Sequence, residues 1–96
     1  MHASITTVHL QPDKIAEATA LYQNNVVPFV KTQHGFQGMY LLTDPSGTGQ
    51  SISLWESEAD GQAYEANGVY REQVSKFAAF FSAPPSLATY DVAVKA

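Results

Sequence analysis

The chain has 96 residues, 45 % of them apolar, and a formal charge of −4 from 5 basic and 9 acidic side chains. That length allows one domain over residues 1–96, and the scattered Lys14, Lys31, Arg71, Lys76 and Lys95 do not form the basic cluster that nucleic acid or an anionic membrane requires. The lack of cysteine excludes disulfides, thiolate catalysis and Cys-based metal sites.

Residues 4–10, SITTVHL, alternate in character and are rich in β-branched types, which predicts a first strand. Gln11-Pro12-Asp13 stops it and opens a helix, because a proline near a helix start loses no hydrogen bond there and Asp13 complements the helix dipole. Ile15, Ala18, Tyr22 and Val26 recur at helical spacing, which predicts a helix from about residue 13 to about 26, kinked or restarted by Pro28 and closed by Gly35.

Residues 36–43, FQGMYLLT, form the second strand, DPSGTG the loop, and residues 50–56, QSISLWE, the third strand, arranged as an antiparallel hairpin. Ser57 is a good helix cap with acidic Glu58 and Asp60 behind it, and a short helix covers about 58–66. Asn67-Gly68 breaks it. A further helix covers about 69–82, with Val74, Phe77, Ala78 and Phe81 on one face; Ala83-Pro84-Pro85 ends it, and residues 87–94, LATYDVAV, make the last strand.

The order β-α-β-β-α-β is the ferredoxin-like α+β plan, with helices on one face of an antiparallel four-stranded sheet. Such a small domain buries only about 60–65 % of its unfolded surface. The apolar surplus therefore implies a homodimer with its two open sheet faces together, which is a dimeric α/β barrel.

Alternation sorts the strand residues into faces. Ile52 and Leu54 read as the helix-facing core, so Ser51, Ser53 and Trp55 point away from the helices. Ile5, Thr7 and His9 share one side of the first strand; Phe36, Gly38, Tyr40 and Leu42 share one side of the second. This reading pairs His9, Tyr40 and Trp55 on the non-helical face, where a partner sheet encloses a mixed pocket suited to a small organic ligand. His9 is the candidate proton acceptor, with Tyr40 and Trp55 holding and polarising the ligand. Thr7, Phe36, Ser51, Ser53, Tyr64 and Asn67 are candidate ligand contacts, Tyr64 and Asn67 at the mouth. Four of them have a plainer alternative: Trp55 as packing, His9 as a structural histidine, Tyr40 as packing with a satisfied hydroxyl, Asn67 as a helix stop. The histidines at 2, 9 and 34 lack metal-ligand spacing, and no phosphate-binding glycine motif or nucleophile elbow occurs. Neither a metal nor another cofactor is expected.

Gly35-Phe36-Gln37-Gly38 entering the second strand and Ser53-Leu54-Trp55-Glu56-Ser57 closing the third resemble the antibiotic-biosynthesis-monooxygenase superfamily over nearly the whole chain. The resemblance implies a cofactor-independent monooxygenase acting on a small aromatic or quinone-type compound, in which Asn, Trp and Tyr side chains polarise a phenol or quinone oxygen. Trp55 matches that pattern. Ser51 and Ser53 stand on the strand where such members place Asn, and Gly61 stands where they place Tyr. The haem-degrading members' histidine after the Trp strand has no counterpart, because no histidine follows His34. A non-catalytic ligand-binding or structural dimer is the alternative. No apolar run reaches the roughly 18 residues of a membrane span, and MHASITTVHL lacks the features of a secretory signal, so a cytoplasmic location is expected.

Overall fold

The structure is a computed structural model describing residues 1–96. The strands are β1 (His2–Leu10), β2 (Phe36–Thr43), β3 (Thr48–Trp55) and β4 (Phe81–Asp91). They form one antiparallel sheet in the order β2-β3-β1-β4. The helices are α1 (Ile15–Leu21), α2 (Val27–Val30), α3 (Glu58–Ala66) and α4 (Val69–Ser75), with 3-10 turns at Pro12–Lys14 and Ala78–Phe80. This is the ferredoxin-like α+β arrangement, because each helical crossover skips one strand position, β3 lying between β1 and β2 and β1 between β3 and β4.

The first helical segment bends where its proline demands it. Pro28 has no N–H to give to residue 24, and its ring crowds the carbonyl there. The chain widens into a π-helical turn over Tyr22–Val26, in which the Val27 N–H reaches the Tyr22 carbonyl. Tyr22 and Val26, at the two ends of this turn, are both buried. At the start of α3, the Ser57 hydroxyl accepts the Asp60 N–H at 3.2 Å, as a capping serine should.

The last strand starts earlier than the sequence predicts. It takes in Pro84 and Pro85, and α4 is correspondingly shorter. A proline is tolerated there because β4 is an edge strand. The ladder to β1 is irregular at that point: Thr7 pairs with Ser86 and His9 with Ala83, leaving both prolines unpaired. On the other side of the sheet, Gly47 (φ +97°) turns the hairpin against β1. Its carbonyl accepts the Leu10 N–H at 2.8 Å, and a Cβ on it would lie 2.0 Å from the Leu10 carbonyl oxygen.

The face assignment is the main correction. Trp55 is fully buried between sheet and helices, in one core cluster with Tyr22, Val26, Val30 and Tyr64. Ser51 and Ser53 share its side, since the Ser51 hydroxyl meets Tyr22 and the Ser53 hydroxyl meets Trp55. Ile52 and Leu54 therefore face outward, beside Ile5 and Ala3 of β1. Tyr40 and Leu42 join them on β2, 59 % and 50 % exposed. In β2 the parity slips: Phe36 pairs with Trp55 but Gly38 pairs with Leu54, so Gln37 is an extra, bulged residue. Phe36 then shares the helix side with Met39 and Leu41, not the outer side with Tyr40.

Candidate functional site

A cavity lies between the helix-facing side of the sheet and the helices. Its empty space is about 640 Å³ with the open mouth counted, and about 60 Å³ of it admits the centre of a water-sized sphere. Ser51 and Ser53 of β3, Thr6 of β1, Met39 and Leu41 of β2, Tyr22, and Tyr64, Tyr70 and Gln73 of α3 and α4 supply much of the wall. No Asp, Glu, His, Lys or Arg side chain lines it. No three His, Asp or Glu residues of the chain gather where they could hold a metal ion.

Most hydroxyls of the wall are tied in hydrogen bonds, Tyr64's being the exception. The Tyr22 hydroxyl lies 3.2 Å from the Tyr40 carbonyl oxygen and 2.9 Å from the Ser51 hydroxyl. A carbonyl only accepts, so Tyr22 donates to it and Ser51 donates to Tyr22. The Thr6 and Tyr70 hydroxyls bond each other at 2.8 Å. The Trp55 indole N–H donates to the Ser53 hydroxyl at 3.1 Å. Gln73, only 3 % exposed, accepts from Lys76 Nζ at 3.2 Å through its carbonyl oxygen, which leaves its amide nitrogen for the cavity.

An aromatic cluster runs inward from the wall residues Tyr64 and Tyr70 to Trp55 and Phe36. Tyr64 stacks on Trp55 with ring centres 4.8 Å apart, Phe36 meets Trp55 edge-on at 6.0 Å, and Tyr70 meets Tyr64 edge-on at 5.8 Å. Trp55 itself stands behind this wall, not on it. Burial raises the pKa of Tyr64, helped by the neighbouring Tyr22, Tyr70 and Glu65. Burial likewise raises Tyr22 and Tyr70, against the opposing hydrogen bonds from Ser51 and Thr6. All three phenols are therefore protonated at neutral pH. They are neutral hydroxyls here and not bases, and the Tyr22 proton is already committed to the Tyr40 carbonyl.

The structure brings together Ser51, Ser53, Tyr64 and, one layer back, Trp55 and Phe36. It does not bring His9, Tyr40 or Thr7 to them: alternation carries these three to the outer sheet face, where His9 and Tyr40 are exposed. Asn67 is also exposed, and its side-chain oxygen accepts the Val69 N–H at 2.9 Å, so it acts as the helix break. Tyr22, which periodicity alone files as core, also lines the cavity, as do Thr6 and Gln73. Their signal was chemical: a buried tyrosine needs a hydroxyl partner, and the inward residues of β1 and β3 are rich in Ser and Thr.

Gly61 has a steric role. A Cβ there would lie 2.3 Å from His2 Cδ2 and 3.3 Å from Trp55 Cδ1. The His2 ring thus fills the space over this glycine. It is buried, its two ring nitrogens lack hydrogen-bond partners, and Nε2 is 3.8 Å from the Glu65 carboxylate. Glu65 also accepts a bond from the Ser4 hydroxyl.

Fold and cavity define a small ferredoxin-like protein with an apolar, hydroxyl-studded chamber under its helices. The family described as Antibiotic biosynthesis monooxygenase matches residues 1–76, and the chain belongs to that family. Solved structures agree on the fold. A protein of unknown function from Nitrosomonas europaea superposes with a TM-score of 0.78 at 18 % identity, covering 99 % of this chain and 91 % of the other. A protein from Mycobacterium tuberculosis gives 0.75 at 14 % identity, covering 99 % and 97 %. A monooxygenase from the gene ActVA-Orf6 of Streptomyces coelicolor, in complex with the ligand Nanaomycin D, gives 0.76 at 17 % identity, covering 99 % and 89 %. No curated protein matches the sequence. No helix is long and apolar enough to cross a membrane.

Proposed function

We propose that this is a cofactor-independent monooxygenase-like protein that binds a small aromatic or quinone-type compound in the cavity beneath its helices. One observation carries the reading: a largely apolar chamber in which the only polar groups are neutral donors and hydroxyls, led by Tyr22, Ser51, Ser53, Tyr64 and Tyr70. Such a wall suits a flat, uncharged ring bearing oxygen, and it rejects phosphates and carboxylates, which would be buried without a countercharge. Membership of the monooxygenase family and the ligand-bound Streptomyces structure support it. In the reaction, an electron-rich phenol supplies the electrons. One atom of dioxygen enters the ring to give a quinone, and the other leaves as water.

The same reading makes the protein a homodimer over residues 1–96, associated through the outer sheet face. Tyr40, Leu42 and Tyr90 are each half or more exposed there, beside Ile5, Ile52 and Leu54. Thr7 and His9 then belong to the interface, not the chamber.

A second reading, non-catalytic binding, has one observation in its favour: no histidine or carboxylate lines the chamber to take a proton from a phenol. Oxygen uptake on incubation with electron-rich phenols decides between the two. The monooxygenase reading expects uptake by the wild type that drops at least tenfold in Ser51→Ala, which cuts the Tyr22 pair. Binding of the phenol without oxygen uptake leaves the binding protein.

A further inference from the structure

The hydroxyl protons of the chamber are not equally available. In the Tyr22–Ser51 pair both are spent, one on the Tyr40 carbonyl and one between the partners. The Thr6–Tyr70 pair spends one of its two internally. Ser53 is different. It is 5 % exposed, lies on the chamber wall, and accepts the Trp55 N–H at 3.1 Å, while its own proton meets no acceptor. A buried O–H without an acceptor is costly unless something else fills the gap. Trp55, fully buried behind the wall with its only polar hydrogen already committed, has no donor to offer a guest.

We propose that Ser53 is the residue that hydrogen-bonds the oxygen of the bound ring, and that Trp55 is a positioning residue acting through it. The indole N–H occupies one lone pair of Ser53 Oγ. This leaves the O–H directed away from the indole and polarises it, since linked hydrogen bonds strengthen one another. Tyr64, stacked on the indole at 4.8 Å, blocks Trp55 from rotating its nitrogen elsewhere. The ligand oxygen recognised this way is an acceptor, namely a ketone, a quinone carbonyl or a phenol oxygen, and it is uncharged because no cation stands on the wall. The inference rests on the chamber being the ligand site.

The test uses 1-tetralone and tetralin, which share their ring system and differ by one carbonyl oxygen, with affinities read by titration calorimetry. The wild type binds the ketone more tightly than the hydrocarbon. Ser53→Ala weakens the ketone about tenfold, or about 1.4 kcal/mol, and leaves tetralin unchanged. Trp55→Phe shifts the same ratio about threefold, and Ser53→Ala/Trp55→Phe loses no more of the ratio than Ser53→Ala alone. A merely structural defect weakens both ligands alike and leaves the ratio in place. An unchanged ratio in Ser53→Ala, or a ratio lost in Tyr64→Phe and kept in Ser53→Ala, overturns the inference while leaving the chamber as ligand site. Failure of the wild type to bind either compound removes the chamber as a ligand site and the inference with it.

Discussion

The two faces of the sheet carry opposite versions of what a face of its kind is expected to hold. The side under the helices has Ser4, Thr6, Ser51, Ser53 and Trp55 among its inward residues, and much of its packing is aromatic rings with hydroxyl partners. The side away from the helices has Ile5, Ile52, Leu54, Leu42 and Tyr40, which is the composition of an ordinary core. The comparison teaches that apolarity alone does not identify the interior of a small domain that keeps a chamber. Inside, hydroxyls are affordable because each finds a partner or faces a cavity. Outside, an apolar surface of this kind is what the proposed homodimer would cover.

The sharpest way to break the comparison is to truncate one residue of each face. Trp55→Ala removes a fully buried indole and is expected to cost about 3–5 kcal/mol, whereas Leu42→Ala on the outer face is expected to cost under about 1 kcal/mol per subunit. Urea unfolding of both variants checks the difference. Equal costs would mean that the outer side is as much a core as the inner one. Leu42→Lys adds the association readout: sedimentation should show dimer giving way to monomer while the fold survives, and an unshifted profile would remove the outer face as the contact surface.

Next in size is the close approach at Gly61. Gly61→Ala forces a Cβ toward the His2 ring and Trp55, and overpacking of this kind costs about 1–3 kcal/mol. His2→Ala combined with Gly61→Ala should recover part of the loss, because the added methyl then enters the space the imidazole leaves. Thermal unfolding of the single and double variants reads this out. A double variant that is simply the sum of the two singles would show that the two residues do not share that space.

The smallest effect lies at the rim, where His34 Nδ1 sits 2.8 Å from Asp60 Oδ1. The hydrogen bond and charge of Asp60 raise the His34 pKa above its ordinary 6.5. The hydrogen bonds from His34 and Ser57 hold Asp60 below its ordinary 3.8. A raised histidine stabilises fully below about pH 6.5 and loses its contribution as pH climbs through its folded value. A lowered carboxylate stabilises above about pH 3.8 and loses its contribution as pH falls through its folded value. The pair is therefore strongest between those limits, and its contribution is small because His34 is exposed. The difference in melting temperature between wild type and His34→Gln should shrink from pH 5.5 to pH 8.5. A difference that does not change over that range would remove the pair as its source.

Much of the fold was legible because periods are local. Ile15, Ala18, Tyr22 and Val26 mark a helix, FQGMYLLT and SISLW mark strands, and Ser57 marks a helix start. The site was less legible, and the reasons are specific. Alternation tells which residues share a face but not which face meets the helices, and choosing Ile52 and Leu54 as the core inverted β3. The bulge at Gln37 then broke the parity that linked Phe36 to Tyr40. The π-helical turn that presents Tyr22 has no residue pattern beyond the Pro28 that follows it. Pro84 and Pro85 read as a stop because the edge position that tolerates them is a property of sheet order, not of the segment.

The chain carries a single tryptophan, and it is sealed. Excited where tyrosine does not absorb, the molecule therefore emits from one indole, held between the sheet and the helical segments that carry Tyr22 and Tyr64. Short-wavelength emission, shielded from iodide, is expected of this packing, and a shift to the red would report solvent reaching the indole. The protein carries its own optical gauge of the packing between helices and sheet.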